Sequence, residues 1–176
     1  VAVQLHGAAS EWEPDTDICD ALAAAGAQVI KVPVYRWEAP VDPKPMDALI
    51  GMIVNTELDA VSFTSAPAVA SLFERAKALG VLDALVEALR SDVSVFAVGP
   101  VTSAPLRRLD IGTCYPQRYR LGALARLIAD ELPSRAREFS AGGHHIAVRC
   151  ASVDVDGTVR VLPPAAMALL RRLLVE

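Results

Sequence analysis

The sequence predicts an α/β protein whose mainly parallel sheet carries helices on both faces. Three observations point there. Short apolar runs of β character alternate with longer runs of helical spacing from the first residue to about residue 132, and a βαβα order specifies parallel strands joined by right-handed crossovers. The composition is 53% hydrophobic but only 5% aromatic, so the interior is filled by Ala, Val and Leu rather than by rings, as in parallel strands buried under helices. Two strand-to-helix junctions, Phe63-Thr-Ser-Ala-Pro-Ala-Val69 and Ala97-Val-Gly-Pro-Val-Thr-Ser-Ala-Pro-Leu106, are made of small, hydroxyl, glycine and proline residues.

Val1-Ala-Val-Gln-Leu-His-Gly7 reads as a buried strand already under way at the first residue, which points to sequence before it. Pro14 and the potential cap Asp15 open a helix through Ile18, Leu22 and Ala25 that stops at Gly26. Gln28 to Tyr35 is the second strand. Pro40, Pro43 and Pro45 make an extended connector, after which Met46 to Val54 has helical spacing. Asp59 to Thr64 is a strand, Ala68 to Leu79 a helix ended by Gly80, and Leu82 to Leu89 another helix. Val93 to Val98 is a strand, Ser103 to Leu109 a short helix, Gly112 to Tyr115 a last short strand, and Leu121 to Leu132 a helix. Pro133 to Gly143 turns polar and ends in Ala-Gly-Gly, the character of a linker. Beyond it, Ile146 to Leu162 alternates apolar and polar residues around Asp156-Gly157, a dipeptide favoured in tight hairpins, and a helix begins at Pro163.

One hundred and seventy-six residues suffice for one large domain or a domain with a small appendage. No apolar run approaches the ~20 residues that cross a bilayer, and no signal peptide is visible, so a soluble, cytoplasmic protein without membrane partners is expected. Cys19, Cys114 and Cys150 are too scattered for a disulfide framework, and the three histidines, two of them adjacent at His144 and His145, lack metal-site spacing. Buried or idle thiols are expected, with no metal and no cofactor. The formal charge of −4 hides an asymmetry: residues 1–100 carry 14 acidic and 6 basic side chains, residues 101–176 carry 7 and 11. A cationic C-terminal part suits nucleic acid or an acidic substrate, or is a solvated helix face. Neither junction is a Walker loop, no Gly-x-Gly-x-x-Gly follows a strand, and the acids of a receiver domain are replaced by His6-Gly7 and Thr64-Ser65.

Junctions of this kind hold anions, because the helix that follows aims unpaired N–H groups and the positive end of its dipole at the strand end. Two within forty residues suggest a ligand with several negative groups. At these residues the chain resembles uroporphyrinogen-III synthase, whose pattern includes a strand ending in Thr-Ser or Ser-Pro and a strand followed by Gly-Pro-x-Thr. Val32-Pro-Val-Tyr-Arg-Trp37 is similar to the family's strand ending in tyrosine before a segment that crosses between lobes. The resemblance covers roughly residues 1–135 and mainly the family's second half. It implies a synthase-like region over 1–135 contributing to two lobes, a linker over 136–143, and a separate C-terminal part over 144–176.

The resemblance also implies roles. Tyr35 corresponds to a tyrosine that affects turnover by steering a departing hydroxyl. Thr64 and Ser65 match ligand-contacting hydroxyls, with backbone donors beginning at Ala66, while Gly99 permits close approach of a ligand and Thr102 offers a hydroxyl at the helix start. The alternative for these hydroxyls is helix capping alone. His6, at the end of the first strand, is a candidate general acid or ligand contact, although the family often has an arginine or a glycine-rich turn there. The family closes hydroxymethylbilane, a linear tetrapyrrole bearing eight carboxylates, into uroporphyrinogen III with loss of water and inversion of the last ring. Orientation of a reactive chain is the enzyme's main contribution.

The C-terminal part resembles the opening of the winged-helix DNA-binding domain of response regulators, a small antiparallel sheet followed by Leu-x-Pro-x-x-x-x-Leu-Leu. In that resemblance the chain stops before the recognition helix that enters the major groove. Two functions follow as expectations: a synthase acting on hydroxymethylbilane or another polycarboxylate tetrapyrrole, or a regulator whose synthase-like part senses such an anion and controls DNA binding through a complete C-terminal domain.

Overall fold

Among the described residues, parallel pairing occurs in two short sheets and one isolated bridge. In the computed structural model, which describes residues 1–7, 18–36, 40–149 and 152–175, strand β1 (Ala2–Gly7) pairs in parallel with β2 (Ile30–Arg36) across helix α1 (Ile18–Ala24). Strand β3 (Ala60–Phe63) pairs in parallel with β4 (Ser94–Ala97), with α2 (Lys44–Val54) before β3 and α3 (Ala66–Ala78) and α4 (Leu82–Ser91) in the crossover. Helices α5 (Pro100–Arg108) and α6 (Leu121–Glu131) follow. The largest sheet is the antiparallel meander β5 (Arg137–Ala141), β6 (His144–Val148), β7 (Ser152–Val155) and β8 (Thr158–Val161), closed by α7 (Pro164–Val175).

Three expectations are corrected. A mainly parallel sheet is not what forms, because each parallel strand has a single full-length neighbour. The strand expected over Gly112–Tyr115 shrinks to one bridge, Phe96 with Cys114, since Pro116 follows at once and has no N–H to extend the ladder. The linker expected over 136–143 is instead β5 and a two-residue turn, Gly142-Gly143, with φ of 59° and 83°, the left-handed pair that a tight hairpin requires. That strand reads as polar because only Phe139 is even half-buried. On β2, Ile30, Val32 and Val34 stay 60%, 39% and 52% exposed. The helix cap expected at Asp15 lies outside the described residues.

The main core lies on one face of β3 and β4. Val61 and Val95 stand opposite each other in the ladder and point to that face with Phe63. Helix α3 crosses it, burying Val69, Leu72, Phe73 and Ala76, and is flanked by Ile50 and Ile53 of α2, Leu85 and Leu89 of α4 and Leu106 of α5. The opposite face carries Ala60, Ser62, Ser94 and Phe96, and helix α6 lies over it, leaving a groove of about 310 Å³ lined in part by Ala60, Ser62, Ile128 and Leu132. Phe96 is fully buried with the Arg135 guanidinium 5.7 Å from its ring centre. A small second core joins the meander to α7 through Val148, Val153 and Met167.

Helices α2 and α3 are tied by a bidentate ion pair, with Arg75 Nε donating to Asp47 Oδ1 at 2.5 Å and Nη2 to Oδ2 at 2.7 Å. The hydrogen bonds from Arg75 hold the Asp47 carboxyl below its ordinary value of 3.8, and the same contact raises Arg75. A carboxyl depressed in the folded state adds stability above its unfolded pKa, and that contribution disappears as pH falls through the folded value. Asp47→Asn is therefore expected to melt below the parent at pH 7, with the two melting curves converging as pH is taken well below 3.8. Superimposable curves at pH 7 would show that the pair adds nothing.

Candidate functional site

The two junctions leave the same edge of the same sheet. Phe63 and Ala97 are partners at the ends of β3 and β4, and Val98 N–H donates to Phe63 C=O at 2.9 Å, so the chain enters α3 and α5 side by side. Thr64 is exposed in the first junction. Ser65 is the N-cap of α3, extended at φ −150°, and its Oγ accepts from Ala68 N–H at 3.4 Å. Pro67 has no N–H, so the amide of Ala66 is the one left over in this first turn.

At α5 the N-cap is Gly99, which has no capping side chain. Pro100 contributes no donor, Ser103 N–H closes the first helical bond to Gly99 C=O at 3.1 Å, and Ser103 Oγ donates to Pro100 C=O at 3.0 Å. The amides of Val101 and Thr102 are thereby left without helical acceptors. Thr102 is only 5% exposed. The sum is three N–H groups from two adjacent helix starts at one rim, with both helix dipoles positive there. Of the residues the sequence singles out, Thr64, Ser65, Ala66, Gly99 and Thr102 come together.

Gly99 has a second reason to be glycine. A Cβ at this position would lie 3.1 Å from Cγ and Cδ1 of Tyr119, closer than ordinary side-chain contacts. Tyr119 packs against the backbone there, yet remains 60% exposed, and it meets the Tyr115 ring edge-on at 6.3 Å. Sequence reasoning missed both tyrosines, which sit in the irregular segment between α5 and α6. The available signal was Arg118-Tyr-Arg120, two cations bracketing an aromatic one step before a helix.

His6 and Tyr35 form a separate pair. They are ladder partners near the C-terminal ends of β1 and β2, after a register shift between Leu5 and His6. Only their backbones are described, and β1 and β2 pack chiefly on each other. Of the cysteines, Cys19 is buried and Cys114 half-buried, neither in a disulfide, with Cys114 Sγ accepting from Arg135 Nη2 at 3.1 Å, and Cys150 is outside the described residues. His144 Nδ1 contacts Asp156 Oδ2 at 2.5 Å across the meander, but among the described residues no three His, Cys, Asp or Glu side chains converge as metal ligands. No described helix is long and apolar enough to cross a membrane.

Comparison with known proteins follows the same segment of chain. Residues 9–126 match the family described as Uroporphyrinogen-III synthase HemD. The uncharacterized protein YjjA of Bacillus subtilis (strain 168) is 33% identical over 125 residues, 70% of this chain and 44% of that protein. The crystal structure of wild-type uroporphyrinogen III synthase from the extremely thermophilic bacterium Thermus thermophilus has a TM-score of 0.52 and 34% identity, covering 76% of this chain and 49% of that one. The chain thus spans less than half the length of each of these two proteins. The family match ends before the meander begins.

Proposed function

We infer that the chain, which belongs to the uroporphyrinogen-III synthase family, binds hydroxymethylbilane at the rim shared by its two junctions and serves its cyclisation to uroporphyrinogen III. The observation that carries this is the pairing of Phe63 with Ala97, which sets two groups of unbonded N–H donors beside each other. A polycarboxylate needs several donors at once. The amides of Ala66, Val101 and Thr102 hold ligand carboxylates in this reading, and Gly99 keeps the backbone open to them. Thr64 and Thr102 add hydroxyl donors, while Ser65 serves as the cap that fixes the first junction. Tyr35 and His6 act from the other strand pair, Tyr35 on the departing hydroxyl and His6 as a ligand contact.

The chemistry asks little else of the protein. Pyrrole nitrogen lone pairs expel water from the terminal hydroxymethyl carbon, leaving a cationic azafulvene. Attack on it by the substituted carbon of the last ring gives a spiro intermediate, and recombination closes the macrocycle with that ring inverted. Holding a flexible chain in the reactive shape supplies most of the rate. The test is to incubate the full-length gene product with enzymatically generated hydroxymethylbilane and separate the I and III isomers. Isomer III formed faster than the spontaneous product is the expected result, and isomer I alone at the spontaneous rate overturns the reading.

A second reading draws on the meander. Four antiparallel strands leading into α7, outside the family match and in the net basic part of the chain, are consistent with the opening of a winged-helix domain controlled by a tetrapyrrole-sensing region. The domain boundary in that case falls between α6 and β5, with residues 1–135 as the synthase-like region. Salt-sensitive DNA binding by the full-length gene product is expected, and binding unchanged after removal of everything past Arg135 counts against it.

A further inference from the structure

We propose that Arg118, Tyr119 and Arg120 form one wall of the junction site, gripping ligand carboxylates and stacking a pyrrole ring, and so set its preference for heavily carboxylated tetrapyrroles. This rests on the reading that the junctions bind such a ligand. Arg120 N–H donates to Arg118 C=O at 2.8 Å, closing a three-residue turn with Tyr119 at its tip. The tip is pressed onto Gly99, where an added Cβ would come within 3.1 Å of the ring. Because Gly99 caps α5, the tyrosine stands next to the helix start that carries the free Val101 and Thr102 amides.

A ring held against the Gly99 backbone and the Tyr115 edge, yet 60% exposed, offers an open aromatic surface. Such a surface takes a flat π-system with little loss of side-chain freedom. The two arginines are exposed, and neither guanidinium has an ion pair or hydrogen bond among the described residues. Their Cα atoms are each ~3.8 Å from that of Tyr119, so both groups sweep the space around the ring. Planar guanidinium forks match carboxylates in a bidentate way that backbone amides cannot. Thr102, 5% exposed, adds a hydroxyl in the same helix turn. A ligand that stacks on Tyr119 with carboxylates at its periphery meets cations on both sides and amides beneath.

The test titrates uroporphyrin, with eight carboxylates, and coproporphyrin, with four, into the chain by fluorescence at low and high salt, with thermal melts run alongside. R118Q/R120Q is expected to bind uroporphyrin roughly 10-fold more weakly, as two exposed charge pairs are lost, with an unchanged melting temperature and a smaller preference over coproporphyrin. Tyr119→Phe should keep the parent affinity and Tyr119→Ala should lose it. A parent that binds uroporphyrin while R118Q/R120Q binds equally well overturns the wall and leaves the tetrapyrrole reading in place. A parent that binds neither porphyrin overturns both.

Discussion

Replacing Phe73 by alanine is expected to lower the unfolding free energy by about 3–5 kcal/mol. The ring is fully buried on α3, the helix that packs on α2, α4, α5 and β3. Truncation removes the apolar surface and leaves a hole between α3, its neighbours α2, α4 and α5, and the sheet. Those elements restrain one another, so little of the hole can close. Against a whole-domain stability of about 5–15 kcal/mol, the loss is enough to populate unfolded chains at 37 °C. Denaturant titration reads it directly: a midpoint lowered without change in slope is expected, and a cost below about 1 kcal/mol would show that the site collapses freely. Phe139, half-buried on β5 in the small second core, should cost distinctly less.

Tyr35→Phe is expected to reduce isomer III formation by roughly 10²-fold, within the range for loss of one positioned proton donor. The change removes a single oxygen and leaves the ring, so the strand and its pairing with β1 are undisturbed. If the phenol assists the departing hydroxyl, the loss falls on the maximal rate, since substrate carboxylates are held elsewhere. The readout is the ratio of III to I in the hydroxymethylbilane assay, where the spontaneous I isomer gains as the catalysed route slows. A variant within about threefold of the parent would remove Tyr35 from the chemistry.

Much of the helical framework was legible because its signals are local. Gly80, at φ 72°, ends the third helix where the sequence puts its stop, and α3 and α4 span Ala66–Ala78 and Leu82–Ser91 against expectations of Ala68 to Leu79 and Leu82 to Leu89. Asp156-Gly157, with φ of 50° and 84°, forms the expected tight turn. The number of strands in a sheet is a different kind of fact. It depends on distant partners, and alternation alone cannot tell a central strand from one with a single neighbour. That is why the apolar run of β2 does not reveal that its valines are exposed. Arg137-Glu138-Phe139-Ser140-Ala141 failed for the opposite reason, since a strand with a single half-buried residue has the composition of a loop.

The candidate site divides along the same line. Adjacency of the two junctions followed from successive parallel strands, and the structure has them side by side. The Ser65 hydroxyl, read as ligand contact or cap, accepts from Ala68 in the capping geometry. Tyr119 carried no periodicity to find it by, because its position comes from a close approach to Gly99 across twenty residues of chain.

The meander at the end of the chain has a kinetic consequence. Each of its strands pairs with the next one along the chain, whereas β4 must wait for two helices to form before it can find β3. Loop closure is cheap in the first case and slow to be rewarded in the second. The last quarter of the polypeptide therefore gains protected amides early, ahead of the parallel ladder, and pulse-labelling by hydrogen exchange records that sequence of events.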